Sequence, residues 1–93
     1  ALLLRVAETF IEPLDSAGMV GYAVAAEHLA RQLGDSLLVG QAVDLRGYYL
    51  QHAGDARRAA PLLRRAARLL ETAPAPARAA NLDHLGELHE SLG

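Results

Sequence analysis

The stretch AVDLRGYYLQHAGDARRAAPLLRRAARLL, residues 42–70, decides the fold of this chain. On both sides of Gly54 and Asp55, apolar residues return every three or four positions, which is the period of a helix that buries one face. Glycine commonly follows the end of a helix, and an aspartate side chain accepts hydrogen bonds from the free amides of a first turn. Residues 42–70 therefore predict two antiparallel helices joined by a tight turn.

The second helix of this hairpin divides its side chains between two faces, at about 100° per residue. The apolar face consists of Ala59, Leu62, Leu63, Ala66, Leu69 and Leu70. The opposite face consists of Pro61 and five arginines: Arg57, Arg58, Arg64, Arg65 and Arg68. A proline on an outer face bends a helix and is tolerated there. We expect the apolar face to pack and the arginines to face solvent.

Helical periodicity continues outward from residues 42–70 in both directions, and no strand pattern appears. A first helix carries Leu3, Val6, Phe10, Leu14 and Ala17, is kinked or ended early by Pro13, and stops in a turn at residues 16–18. A second carries Tyr22, Ala23, Ala26, Ala30 and Leu33 and ends at Gly34. A third begins after a cap at Asp35 or Ser36 and carries Leu38, Ala42, Leu45, Tyr49 and Ala53. The last runs from about Ala77 to Leu92.

The sequence also contains an internal repeat. A shift of 39 residues lays Val43, Asp44 and Gly47 over Leu82, Asp83 and Gly86, and a period of this length is typical of helical repeat proteins. We predict hairpin 1 at residues 1–34, hairpin 2 at 35–71, a stiff linker at 72–76 and an unpaired helix at 77–93. The incomplete last hairpin and the missing initiator Met indicate a fragment of a larger protein. A compact five-helix bundle is the alternative.

Residues 42–70 resemble a tetratricopeptide repeat in its longer form. The matching positions are Gly47 where the helices cross, Leu50 three residues on, the turn at Gly54 and Asp55, and then Ala59, Leu63 and Ala66. Arg46 departs from the family's preferred Leu, no Pro closes the repeat, and Ile11 replaces the glycine in the first hairpin. The resemblance implies an all-α, right-handed superhelix of antiparallel hairpins, with about five helices. Gly47 is expected to face Ala59, because helices approach most closely where side chains are small.

In such a superhelix the first helices of successive hairpins line a concave groove. The predicted groove positions are Arg5 together with Glu8, Glu12, Asp15, Gln41, Asp44, Tyr48, Gln51, His52, Asp83, His84, Glu87 and Glu90. Its acidic residues repeat at i, i+4 and i+7 in the first and last helices, whereas the arginines lie on the convex side. We therefore expect a protein or peptide partner, basic or amide-rich, with Tyr48 as the aromatic anchor. The alternative is that these are ordinary solvated helix faces.

Other function classes find little support in the sequence. The 93 residues include no cysteine, carry a net charge of −2, and contain no membrane-length apolar run or signal peptide. The hydroxyl residues lie outside any strained-elbow motif of the kind that holds a nucleophile, and no glycine-rich phosphate loop occurs. His84 and His89 are five residues apart, which places them about 140° apart around a helix, so they cannot bind one metal ion together. We expect no enzyme activity, cofactor, metal or membrane contact. The arginine face lacks interleaved aromatic residues, so we expect no direct nucleic-acid contact.

The LRGYY and GDARRA segments resemble the sensor or oligomerisation lobes of multidomain bacterial transcription regulators. That resemblance implies a cytoplasmic protein–protein interaction scaffold. Two alternatives are a lobe that senses a small-molecule inducer and a structural lobe attached to an enzyme. A buried polar pocket converging on Tyr48 and His52 favours the inducer, whereas a long open acidic groove favours a peptide. Exposure of Leu82, Leu85 and Leu88 on the last helix would favour self-association through that helix.

Overall fold

A computed structural model of the chain describes residues 16–92, and this part of the chain is all-α. Helix α1 spans Ser16–Leu33, α2 spans Ser36–His52, α3 spans Ala56–Leu69 and α4 spans Ala75–Leu92. The all-helical class is confirmed over these residues, which contain no strand. None of the four helices has both the length and the apolar character of a membrane span. The predicted first helix, with Arg5, Glu8, Glu12 and Asp15, lies outside the described residues.

Two Gly-Asp turns of the same design join the first three helices. Gly34 and Gly54 have φ of 68° and 91°, a conformation that glycine adopts without the steric penalty of a Cβ. In each turn the glycine N–H bonds to the carbonyl three residues back and the aspartate N–H to the carbonyl five back, at 2.9–3.1 Å. The side chains of Asp35 and Asp55 then cap α2 and α3 by accepting from the amides of Leu38 and Arg58. Both predicted helix ends and both caps are confirmed.

Two predicted boundaries were wrong. Residues 16–18 begin α1 instead of forming a turn, since small residues are tolerated at a helix start as well as at a stop. Helix α4 begins at Ala75, so the linker ends at Pro74, whose carbonyl accepts from the amides of Ala77 and Arg78. Pro76 then stands in the first helical turn, where backbone amides have no intrahelical partner and a missing N–H costs little.

Helix α2 is the centre of the fold, because α1 and α3 pack along it and α4 also contacts it. Its buried residues are Val39, Gly40, Ala42, Val43, Asp44 and Gly47, of which only Ala42 belongs to the predicted stripe. The other members of that stripe are half-buried, except Ala53, which is exposed. The stripe predicted for α1 is buried at Ala23, Ala26 and Ala30. It is wrong at its two ends, since Tyr22 and Leu33 are 38% and 66% exposed.

Two glycines allow α2 and α3 to pack closely. A Cβ on Gly40 would lie 2.7 Å from Leu70 Cδ2, and a Cβ on Gly47 would lie 2.7 Å from Leu63 Cγ. The expected crossing at Gly47 is thus real, but the residue opposite it is Leu63 and not Ala59. Because one helix presents glycines where the other presents leucines, large side chains fill the closest approach.

The apolar face of α3 is packed as predicted, and Pro61 lies on the exposed face with most of the arginines. Ala59, Ala60 and Leu63 form a cluster with Leu88 of α4, which is 0% exposed. Leu88 thus belongs to the core and offers no surface for self-association. Leu85 is partly buried in the same cluster. Of the three leucines considered for association, only Leu82 is exposed, at 65%.

Candidate functional site

Helices α2 and α4 lie side by side and run parallel. Residue numbers increase in the same direction along both helices, as the contacting pairs show: Asp44 with Asn81 and His84, Tyr48 with His84, His52 with Glu87, and Gln51 with Ser91. Helix α3 is antiparallel to both and connects them. This arrangement brings residues that are 35 to 40 positions apart onto one shared face.

A buried polar network holds the start of this face together. Asn81 Nδ2 donates to Asp44 Oδ1 at 2.8 Å and to the Leu63 carbonyl at 3.1 Å, which ties α2, α3 and α4 at one point. His84 Nδ1 lies 2.8 Å from Asp44 Oδ2, and an ionised carboxylate only accepts, so the ring nitrogen donates. Asp44 and Asn81 are 4% and 2% exposed. Both oxygens of Asp44 are therefore occupied inside the protein, and its predicted place in an open groove is wrong.

Three rings continue the interface towards the ends of the helices. Tyr48 lies between His84 and His52, with its ring centroid 4.3 Å from each of theirs. The outer rings are each held by a carboxylate, since His52 Nε2 lies 3.1 Å from Glu87 Oε2 and His84 bonds to Asp44. Tyr48, expected to be an open anchor, is thus half-buried between two histidines.

Beside the rings, near the ends of the two helices, lies an open cleft of about 440 Å³, which we call the α2–α4 cleft. It is lined by Gln51, His52, Glu87, Glu90 and Ser91. Two carboxylates and the C-terminal end of α2, which carries a partial negative charge, give it an anionic character. Glu87 Oε2 lies 3.1 Å from His52 Nε2, whereas no ion pair within residues 16–92 involves Glu90.

The wall of this cleft contains an unsatisfied acceptor. Gln51 Nε2 donates to Ser91 Oγ at 3.3 Å, and that hydroxyl donates to the Glu87 carbonyl at 3.1 Å. Gln51 Oε1 is buried and has no hydrogen-bond partner among the described residues. Leaving such an acceptor unpaired costs about 1–3 kcal/mol.

The structure thus divides the predicted groove residues into three groups. Gln51, His52, Glu87 and Glu90 line the cleft. Asp44, Tyr48 and His84 form the supporting interface. Gln41 and Asp83 lie outside the cleft lining, the first half-buried on α2 and the second exposed on α4. No cluster of three metal-ligating side chains occurs within residues 16–92.

Sequence reasoning missed two polar residues that organise the fold. Asn81 stands in an alanine-rich run, where an isolated amide was the available signal. Glu27 is mostly buried and bonds Arg31 Nη2 at 2.9 Å and Arg46 Nη1 at 3.2 Å. Its spacing from Arg31, four residues along a helix, was visible in the sequence. Because Arg46 belongs to α2, its bond to Glu27 joins α1 to α2.

No protein-family model, curated protein or solved structure matches the chain.

Proposed function

We propose that this chain is a protein–protein interaction scaffold whose α2–α4 cleft binds a basic or amide-rich peptide. The observation that carries the proposal is the open, polar cleft of about 440 Å³ between two parallel helices, with Glu87 and Glu90 on its wall. A cationic side chain entering it would meet two carboxylates near the C-terminal end of α2. Such complementary charge supplies selectivity and association rate.

The hydrogen-bonding groups of the cleft fit a peptide better than a bare cation. Gln51 Oε1 lacks a donor, and a peptide or side-chain amide N–H supplies one. The buried Asp44, Asn81 and His84 network fixes the two walls relative to each other. A wall that is already ordered loses little conformational entropy when a ligand binds.

A small-molecule inducer is less well supported. Sites for small ligands are usually enclosed and mostly apolar. The α2–α4 cleft is open to solvent, and its five lining residues are all polar. The space between Tyr48, His52 and His84 is filled by the rings themselves, so no buried pocket converges there within the described residues.

We further propose that the chain is a regulatory or sensor lobe of the tetratricopeptide-like kind, within a larger cytoplasmic transcription regulator of bacteria. Three features support this: the two Gly-Asp turns, the antiparallel α3 between parallel α2 and α4, and the close glycine crossing at Gly47. The transcriptional context rests on the resemblance of the LRGYY and GDARRA segments alone.

Fluorescence anisotropy with a short labelled peptide of alternating arginine and glutamine tests the proposal. Glu90→Lys removes an attraction and adds a repulsion of similar size, so we expect affinity to fall roughly three- to tenfold. Glu71→Lys is the matched control, because it changes net charge equally at an exposed residue just after α3. Equal affinities for the two variants, or no binding by the unchanged chain, would refute the proposal.

A further inference from the structure

The charges of this chain are separated between two helices. Helix α3 contains five arginines and no acidic residue. From Asp83 to its end, α4 contains three acidic residues, Asp83, Glu87 and Glu90, and no arginine. Since the chain as a whole is nearly neutral, this separation makes one side strongly basic and another acidic.

Three of the arginines form one exposed line along α3. Arg57, Arg64 and Arg68 are seven and four residues apart, which places them within about 40° of each other around the helix. All three are exposed, and none pairs with an acid among the described residues. Arg58 differs, since it lies 3.5 Å from Asp55. We call Arg57, Arg64 and Arg68 the arginine line.

The arginine line and the cleft cannot pair within one chain. Helix α3 turns its apolar face towards α2 and α4, where Leu63 meets Gly47 and Leu88, so its arginines point away from the cleft. Both surfaces are therefore available to another molecule. Their spacing also matches, because Arg64 and Arg68 are separated by about 6 Å along their helix, as are Asp83 and Glu87 along theirs.

We propose that the chain binds a second copy of itself head to tail, with the arginine line of one copy docked on the acidic α2–α4 cleft and adjacent Asp83 of the next. This inference names a partner for the cleft and so rests on the proposed function. The contact is heterologous, because different surfaces of the two copies meet, and a pair of copies keeps one free arginine line and one free cleft for further growth.

Exposed ion pairs are individually weak and are screened by salt. We expect association in about 10 mM salt, where the Debye length is about 30 Å, and a monomer in about 1 M salt, where it is about 3 Å. Contact through exposed leucines such as Leu82 would show the opposite dependence, because salting-out strengthens apolar burial.

Sedimentation equilibrium on two charge-reversed variants tests the proposal. Arg64→Glu with Arg68→Glu removes the basic surface, and Asp83→Lys with Glu90→Lys removes the acidic one without touching the His52–Glu87 pair. We expect each variant alone to remain at the monomer mass of 9.9 kDa in low salt. Mixed together, they should form complexes of at least about twice that mass, because the intact arginine line of one meets the intact cleft of the other and their reversed surfaces are also opposite in charge.

A single reversal away from both surfaces serves as the control. Arg78→Glu, at an exposed residue about 140° around α4 from Asp83, should associate like the unchanged chain. Circular dichroism verifies that every variant is helical. The inference is overturned if the unchanged chain stays monomeric in low salt, if association persists in high salt, or if the two variants fail to combine.

The same variants separate this inference from the proposed function. The chain with Arg64→Glu and Arg68→Glu keeps its cleft and should still bind the labelled arginine–glutamine peptide. If it binds the peptide but does not combine with the variant that keeps the arginine line, the self-association is wrong and the peptide scaffold stands. If it binds neither, both proposals fail.

Discussion

Replacing Gly47 with alanine tests how closely α2 and α3 pack. The new methyl carbon would lie 2.7 Å from Leu63 Cγ, 2.8 Å from Leu63 Cδ2 and 3.3 Å from Leu62 Cβ. Carbon atoms in favourable contact are about 3.5–4.0 Å apart. Leu63 is 0% exposed and cannot swing into solvent, while Leu62 Cβ is fixed to the backbone of α3. The two helices must therefore move apart locally.

The expected free-energy change combines two opposite effects. Overpacking a filled core costs about 1–3 kcal/mol. Alanine is favoured over glycine inside a helix by about 1 kcal/mol. The net effect of Gly47→Ala is a destabilisation of about 0–2 kcal/mol. Gly86→Ala isolates the second term, because Gly86 is also helical and a Cβ there would meet nothing within 4 Å. That control should stabilise the chain by about 1 kcal/mol.

Urea unfolding followed by far-ultraviolet circular dichroism measures both variants. We expect the free energy of unfolding of Gly47→Ala to be lower than that of Gly86→Ala by about 1–3 kcal/mol, with similar dependence on urea. If Gly47→Ala stabilises the chain as much as Gly86→Ala does, α2 and α3 are not closely packed at Gly47.

Two further predictions concern the docking of α4. Leu88→Ala should lower the free energy of unfolding by about 2–4 kcal/mol, because it empties a fully buried site. Leu82→Ala, at an exposed site, should change the free energy of unfolding by less than about 0.5 kcal/mol. Both values are measured by urea unfolding, and similar losses for the two leucines would show that Leu88 is not a core residue. Asn81→Ala should cost about 1–3 kcal/mol, because it leaves Asp44 Oδ1 and the Leu63 carbonyl without their shared donor. Faster amide hydrogen exchange across α4 should accompany this loss, and unchanged exchange would show that Asn81 does not hold α4 in place.

The parts of the fold that depend on neighbouring residues were predictable from the sequence. Glycine followed by aspartate specifies a helix end and the next helix cap, and both such turns form as expected. In α3 one apolar face and one arginine face leave a single way to pack, so its orientation was also correct. Local conformational preference and burial agree in these segments.

The parts that depend on distant neighbours were not predictable in the same way. Periodicity shows which residues share a face, but α2 has three neighbouring helices and buries more than one face. Asp44 follows the spacing of a groove residue, yet Asn81 and His84 approach it from α4 and enclose it. Tyr22 and Leu33 follow the spacing of core residues but are exposed. Nothing local to these residues distinguishes the two outcomes.

The candidate site was partly predictable for the same reason. Assigning α2 and α4 to one inner surface brought together four residues that do line the cleft: Gln51, His52, Glu87 and Glu90. The sequence did not indicate that Tyr48 would be enclosed by His52 and His84. The space available to a ligand depends on the separation of two helices, which no single segment encodes.

Amide chemical-shift mapping by NMR can locate a bound basic peptide between α2 and α4. The chain with Arg64→Glu and Arg68→Glu, expected to be monomeric, is titrated with the unlabelled arginine–glutamine peptide. We predict that the largest shifts fall on Gln51, His52, Glu87, Glu90 and Ser91, which line the cleft. Shifts confined to α1 or to the outer face of α3, or no shifts at all, would show that the peptide does not bind in the α2–α4 cleft.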